Sequence, residues 1–249
     1  AQVMGALSAN IPFVQLVTGP MSTGSFRGER VGACTDCRRL WGDFRAGRLT
    51  EDEISEANDA LVPTVGTCGV MGTASTMALL VEALGLAPLG SATAPAVSAD
   101  RRRIAEQAGY LAVDIAKRHC HPADILTLAS FENALRVLLA VGGSTNAITH
   151  LTAMAGRLGI KLSLDRLDEL SKQTPVIVDL KPSGTGYMED LHAAGGSVRI
   201  LSALSGSLEM QAMTVTGQTL GQELSNIDIP NWPQDLSLIH ISEPTRLGA

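Results

Sequence analysis

The sequence predicts an α/β fold, on three observations. Hydrophobic residues fill 45% of the 249 positions but aromatics only 3%, so a core would be built largely from Ala, Leu and Val. Two short β-branched runs, 11–18 (IPFVQLVT) and 175–180 (PVIVDL), have the length and composition of buried strands. Between and after them, apolar residues recur at helical spacing, punctuated by capping residues and glycines. A chain of this length holds one large domain or somewhat more.

The first residues show a helical pattern (Val3, Met4, Leu7) without an N-cap or an initiating Met, which reads as the interior of a longer protein. The run 11–18 ends at Gly19-Pro20, and a Gly-rich loop carrying Arg27 and Arg30 extends to Gly32. Thr50-Glu51-Asp52-Glu53 is a capping box that opens a helix through about Leu61. A further helix is expected over 74–84, closed by Gly85. Small residues and two prolines make 88–96 a loop, and 99–118 is a helix with Ile104, Ala108, Leu111 and Ile115 on one face.

Helices are also expected over 131–141, with Ser130 as N-cap, over 145–157, and near 165–172. Residues 188–194 look helical and end in Gly195-Gly196. From Met213 the texture becomes alternating and β-like, which places a boundary near Gln211. Residues 1–210 then form a first domain, and 211–235 begin a β-rich one. The stretch LSLIHISEPTR over 236–246 reads as a translated sequencing adapter, so 236–249 is set apart from the fold.

A net charge of −6 gives no electrostatic footprint for nucleic acid. The longest apolar stretch, 77–89, is interrupted by Glu82 and too short to span a bilayer. No secretory signal opens the chain, and four cysteines in this length are not a disulfide framework. A reducing, cytoplasmic setting is expected.

Chemistry concentrates first at 66–77 (GTCGVMGTASTM), a strand-to-helix junction around Cys68. Gly66, Gly69 and Gly72 allow close backbone approach, and small hydroxyl residues leave room beside the thiol. A thiol ahead of a helix start feels the positive end of the macrodipole, which favours the thiolate that ligates metal or attacks an electrophile. A packed small hydrophobe is the other local reading.

Cys34-Thr35-Asp36-Cys37 is a C-x-x-C pair in a Gly-rich context, with no second pair to complete a zinc ribbon. His119-Cys120-His121 before Pro122 reads as a surface helix end. Gly142-Gly143-Ser144-Thr145-Asn146 is a glycine turn onto a helix start, suited to a carboxylate or phosphate or to simple capping by Ser144. His150, one turn inside that helix, reads as a core or interhelical histidine. Lys181-Pro182-Ser183-Gly184 and Glu189-Asp190-Leu191-His192 follow the end of an expected strand, where open α/β sheets place ligands; a solvated loop is the alternative.

Together, GTCGVMGTASTM, GGSTNAITHL, VIVDLKPSG and MEDLHAAGG, in this order and spacing, resemble the dihydroxy-acid and sugar-acid dehydratases, including phosphogluconate and pentonate dehydratases. The resemblance runs from Ala1 to about Asp235, and the MGTASTM form is closer to the sugar-acid branch. It implies a layered parallel-sheet N-terminal domain with the first strand region of a β-rich C-terminal domain. It further implies a homodimeric hydro-lyase that converts a dihydroxy carboxylic acid, aldonic or branched-chain, into a 2-keto acid.

The implied cofactors are an iron–sulfur cluster, 2Fe–2S or 4Fe–4S, and Mg2+. Cys68 matches the third of three cluster cysteines. The other two, the magnesium ligands and the serine base would lie outside this chain, which therefore holds no catalytic residue and would be inactive alone. Two other classes compete: a non-catalytic α/β module holding a small carboxylate in its Gly-rich turns, and an enzyme using Cys68 as nucleophile with His150 or His192.

Overall fold

The computed structural model describes residues 1–228. The expected adapter-derived tail and the last part of the expected second domain lie outside them. The described residues begin with α1 (Gln2–Ala9), a hairpin of β1 (Gly24–Phe26) and β2 (Glu29–Val31), α2 (Ala33–Arg45), α3 (Glu51–Leu61) and α4 (Thr73–Ala83). There follow α5 (Ala99–Lys117), α6 (Pro122–Ile125), α7 (Leu128–Ala140) and α8 (Asn146–Arg157). The last are α9 (Leu164–Gln173), α10 (Met188–Ala193), α11 (Gly196–Ala203) and α12 (Leu220–Ser225).

α4 is the central element. Apolar or small residues surround it on all sides, and a helix of that kind must be enclosed. α7 and α8 pack against it, and Leu79, Leu80, Phe131 and Leu151 are fully buried where they meet. Gly85 ends α4 at φ +77°, and a Cβ there would stand 2.6 Å from the Met213 carbonyl oxygen. Glu82, on the last turn, is buried, and its carboxylate accepts the N–H groups of Gly90 (2.7 Å) and Ala92 (2.8 Å). Arg101 on α5 holds the same loop by donating to the Ser91 carbonyl at 2.6 Å and the Ala94 carbonyl at 2.5 Å.

A smaller core of Phe26, Val31, Leu40, Ile54 and Leu61 lies between the hairpin, α2 and α3. Its register is antiparallel, with Gly24 opposite Val31 and Phe26 opposite Glu29.

The described domain is thus mostly helical with a small sheet, an α/β domain in the coarse sense. The two expected strands are corrected. Residues 11–18 form no strand, with Ile11 51% and Leu16 38% exposed. Residues 175–180 likewise form no strand, and Leu180 makes an isolated parallel bridge with Gly186. A strand needs a neighbouring strand to pair its backbone groups. Gln15 N–H instead reaches the Leu86 carbonyl, and Ile177 N–H reaches the Ala140 carbonyl, each at 2.8 Å at the end of a helix.

The helices match expectation at α3, α4, α5, α8, α9 and α10 within a residue or two. α7 starts earlier, capped by Thr127, with Ser130 as the reciprocal partner in a capping box. Two helices differ from the sequence reading: α2 occupies 33–45, where no helix is expected, and α11 begins at the glycine pair expected to end the helix before it. Among the described residues after Met213, Met213 makes an antiparallel bridge with Thr219, and α12 then contributes Leu220 and Leu224 to the main core.

Candidate functional site around Cys68

The 66–72 turn is held from two sides. Thr67 N–H donates to the Gly19 carbonyl (2.9 Å), and Met21 N–H donates to the Thr67 carbonyl (2.8 Å). Gly66 makes this approach possible: its φ is +137°, and a Cβ would stand 2.5 Å from Met21 N. Gly69 and Gly72 are not crowded in this way, so the expected need for three glycines holds at one of them.

On the other side, Met71 N–H donates to the Lys181 carbonyl and Met188 N–H donates to the Gly69 carbonyl, each at 2.8 Å. The segment from Lys181 to Met188 therefore grips the turn at both ends. Cys68 itself is half-buried, with the Val70 N–H facing its sulfur. Burial pushes its thiol pKa up, and the Val70 N–H opposes that. The N-cap of α4 is Gly72, four residues beyond Cys68, where a helix-end field has faded.

The gripping segment is anchored by a buried charged network. Lys181 Nζ lies 3.0 and 3.2 Å from the Asp36 carboxylate oxygens and donates to Tyr187 OH at 2.6 Å. The phenol proton has two acceptors, Asp36 Oδ2 at 2.9 Å and the Arg30 carbonyl at 3.0 Å. Gly32 N–H completes the shell of Asp36 at 3.0 Å. Burial acts to raise the Asp36 carboxyl, but the Gly32 N–H, Lys181 and Tyr187 outweigh it and hold the group below its usual range.

The glycine turn at 142–146 also comes to this end of α4. A Cβ on Gly143 would lie 2.8 Å from the Thr76 methyl, and Ser144 N–H donates to Thr76 Oγ1 at 3.0 Å. Ser144 Oγ lies 2.8 Å from Thr73 Oγ1, which also accepts from Asn146 Nδ2 at 3.1 Å. Ser144 Oγ also accepts the Asn146 N–H at 3.4 Å, so Ser144 caps the start of α8 as well as bridging to α4.

A family model for the N-terminal part of dihydroxy-acid/6-phosphogluconate dehydratases matches residues 1–223. The chain belongs to this family. It is 40% identical over 244 residues to a dihydroxy-acid dehydratase of Metallosphaera sedula, covering 97% of the chain and 44% of that protein. It is 43% identical over 238 residues to an L-arabinonate dehydratase of Rhizobium leguminosarum bv. trifolii, covering 95% of the chain and 41% of that protein. A dihydroxy-acid dehydratase of Haloarcula marismortui is 41% identical over 242 residues, covering 96% and 42%. The chain spans less than half the length of these relatives.

In this chain the other expected sites separate. His150 is exposed on α8, correcting its reading as a core or interhelical residue, and lines an open groove of about 320 Å³ with Val3, Gln15, Thr67 and Met77. His192 lies 3.4 Å from Asp100. Among the described residues no hydrogen bond joins either histidine to Cys68, so the nucleophile–base arrangement is not assembled. His119 takes φ +50° just after α5, and His121 N-caps α6 with Nδ1 at 2.6 Å from the Asn10 carbonyl. Both serve chain reversal, as a helix end requires. Among the described residues no three His, Cys, Asp or Glu side chains converge on a metal position.

Glu189 and Asp190 are engaged rather than solvated: Glu189 Oε2 accepts from Thr23 Oγ1 at 2.6 Å, and Asp190 pairs with Arg30 at 2.9 Å. Sequence reasoning missed Asp36, Tyr187 and Arg30. The Asp36–Lys181 pair spans 145 residues, and no local pattern marks it. The Cys34 thiol also acts to raise the Cys68 pKa, and the Cys34 N–H to lower it.

Proposed function

We propose that this chain is the N-terminal part of a cytoplasmic, homodimeric hydro-lyase that dehydrates a dihydroxy carboxylic acid, aldonic or branched-chain, to a 2-keto acid. Cys68 is one ligand of its iron–sulfur cluster, and Mg2+ is held by residues beyond this chain. The observation that carries the reading is the family match over 1–223, with Cys68 in a turn held by backbone bonds from two sides.

The donor set fits one corner of such a centre. A half-buried thiol faced by backbone N–H groups is the kind of ligand whose hydrogen bonds tune a cluster. Magnesium prefers oxygen ligands, and no group of three candidate metal ligands converges among the described residues.

Dehydration removes the C2 proton and the C3 hydroxyl, and the enol that remains tautomerises to the keto acid. Hydroxide leaves poorly, since water has a pKa of about 15.7, and an iron with an open position would supply the Lewis acid. This chain's own residues set where that acid stands. The Met71 and Gly69 backbone bonds fix the Cys68 turn to the Lys181–Met188 segment, and the Asp36–Lys181–Tyr187 network fixes that segment to α2.

In the whole enzyme, we propose a layered parallel-sheet arrangement of this domain, a reading supported by the isolated parallel bridges Pro20–Thr67 and Leu180–Gly186. Residues 211–235 would open the β-rich domain, a division supported by the Met213–Thr219 bridge.

The test is Cys68→Ser in the full-length enzyme, read by bound iron and sulfide, visible absorption and turnover. Loss of all of them is expected. A variant that keeps both the cluster absorption and turnover overturns the ligand assignment.

A further inference from the structure

We propose that the outward face of α5 is a self-complementary seam that docks, antiparallel, on the same helix of a second copy of this chain. The seam deepens the homodimeric reading above and rests on it. At 19 residues α5 is the longest helix among the described residues, and among them no other helix or strand packs along it. A narrow line of buried residues, Arg101, Ala108 and Ile115, holds it to the body. Residues seven apart lie on one side of a helix, so the opposite side is left without a cover.

Glu106, Tyr110, Val113 and Lys117 run down the middle of that side. Spacings of four, three and four align them in one stripe, about 16 Å long at 1.5 Å per residue. Tyr110 is 71% and Val113 55% exposed, and Glu106 and Lys117 are exposed at the two ends. Gly109, beside this apolar pair, has open space around it, which permits close approach of another backbone.

The order of the stripe identifies its occupant. It runs acid, aromatic, aliphatic, base, and a copy laid antiparallel presents base, aliphatic, aromatic, acid. Glu106 of each chain then meets Lys117 of the other, and Tyr110 meets Val113. A parallel copy would set Glu106 on Glu106 and Lys117 on Lys117, which repels. Neighbouring charges are already matched within the helix, Arg103 with Asp100 and Arg118 with Asp114. Glu106 accepts the Tyr110 hydroxyl at 3.4 Å, and neither it nor Lys117 forms an ion pair among the described residues. The apolar pair excludes water from the centre of the seam, and the ion pairs at its ends fix direction and register.

The test is charge reversal in the full-length enzyme, read as the dimer dissociation constant by sedimentation across a dilution series. Glu106→Lys and Lys117→Glu each bring like charges together twice in a two-fold seam, and each should raise the constant at least about tenfold. Combining the two restores opposite charges and should return the constant to within about threefold of wild type. Because the combined variant carries both substitutions, its recovery separates a lost contact from a lost fold. Equal constants throughout, or a combined variant as weak as either single one, overturns the seam and leaves the homodimer standing. Equal constants with lowered unfolding midpoints would assign α5 to another part of the same polypeptide, which also overturns it. A wild type that sediments as a monomer overturns the homodimeric reading together with the seam. None of these outcomes depends on cluster content or turnover, so they are separable from the ligand assignment tested by Cys68→Ser.

Discussion

Replacing Glu82 with Gln should remove a specific pH dependence from the stability of this domain. Glu82 has no solvent exposure, and burial raises its pKa from 4.5 to about 7, with the Gly90 and Ala92 N–H groups and nearby serines opposing. The unfolded chain ionises this carboxyl near its ordinary value, while the folded chain keeps the proton until about 7. Between those limits the folded state binds more protons, so stability falls as pH rises. The stabilising contribution is fully present below the unfolded pKa and lost as pH passes through the folded one. A shift of about 2.5 units corresponds to about 3 kcal/mol over the whole window, at about 1.4 kcal/mol per unit.

Other carboxylates titrate equally in both proteins, so the difference between wild type and Glu82→Gln isolates this group. Urea unfolding followed by helical circular dichroism near pH 5 and near pH 8 measures it. Most of that window lies between these two conditions, so the stability difference should move by roughly 2 to 3 kcal/mol in favour of the variant at the higher pH. At the lower pH, Gln should be the worse residue, because its NH2 faces the N–H groups that the carboxyl accepts. Parallel stability–pH curves for the two proteins would refute the reasoning.

Lys181→Met should cost about 3 kcal/mol in the same unfolding assay, since it strands the buried Asp36 carboxylate with only Gly32 and Tyr187 as partners. The wild-type contribution of Asp36 is present above its unfolded pKa and lost as pH falls through the depressed folded one. The variant should therefore lose less stability on acidification. Gly85→Ala should destabilise by about 1 kcal/mol or more. It combines a left-handed backbone at φ +77° with a Cβ 2.6 Å from the Met213 oxygen; an unchanged midpoint in urea would show that the 213–215 strap moves freely.

Where local chemistry is self-sufficient, the sequence was readable. Thr50 and Glu53 close their capping box within four residues, and Gly85 ends α4 because only glycine enters that conformation cheaply. Where backbone partners are distant, it was not. The run 11–18 is β-branched, but its Gln15 N–H finds a helix-end carbonyl rather than a strand. α2 was obscured because the N-cap Gly32 donates no side chain; Asp36 holds that turn from inside the helix. The histidine reading failed for a related reason, since which face of α8 is covered depends on what packs there.

The sequence by itself determined the dehydratase family and the importance of Cys68, because motifs such as GTCGVMGTASTM are contiguous and their spacing survives without coordinates. Only the tertiary structure decided what surrounds that cysteine. Asp36 meets Lys181 and Tyr187 across 145 and 151 positions, and such convergence arises from packing, which no local window records.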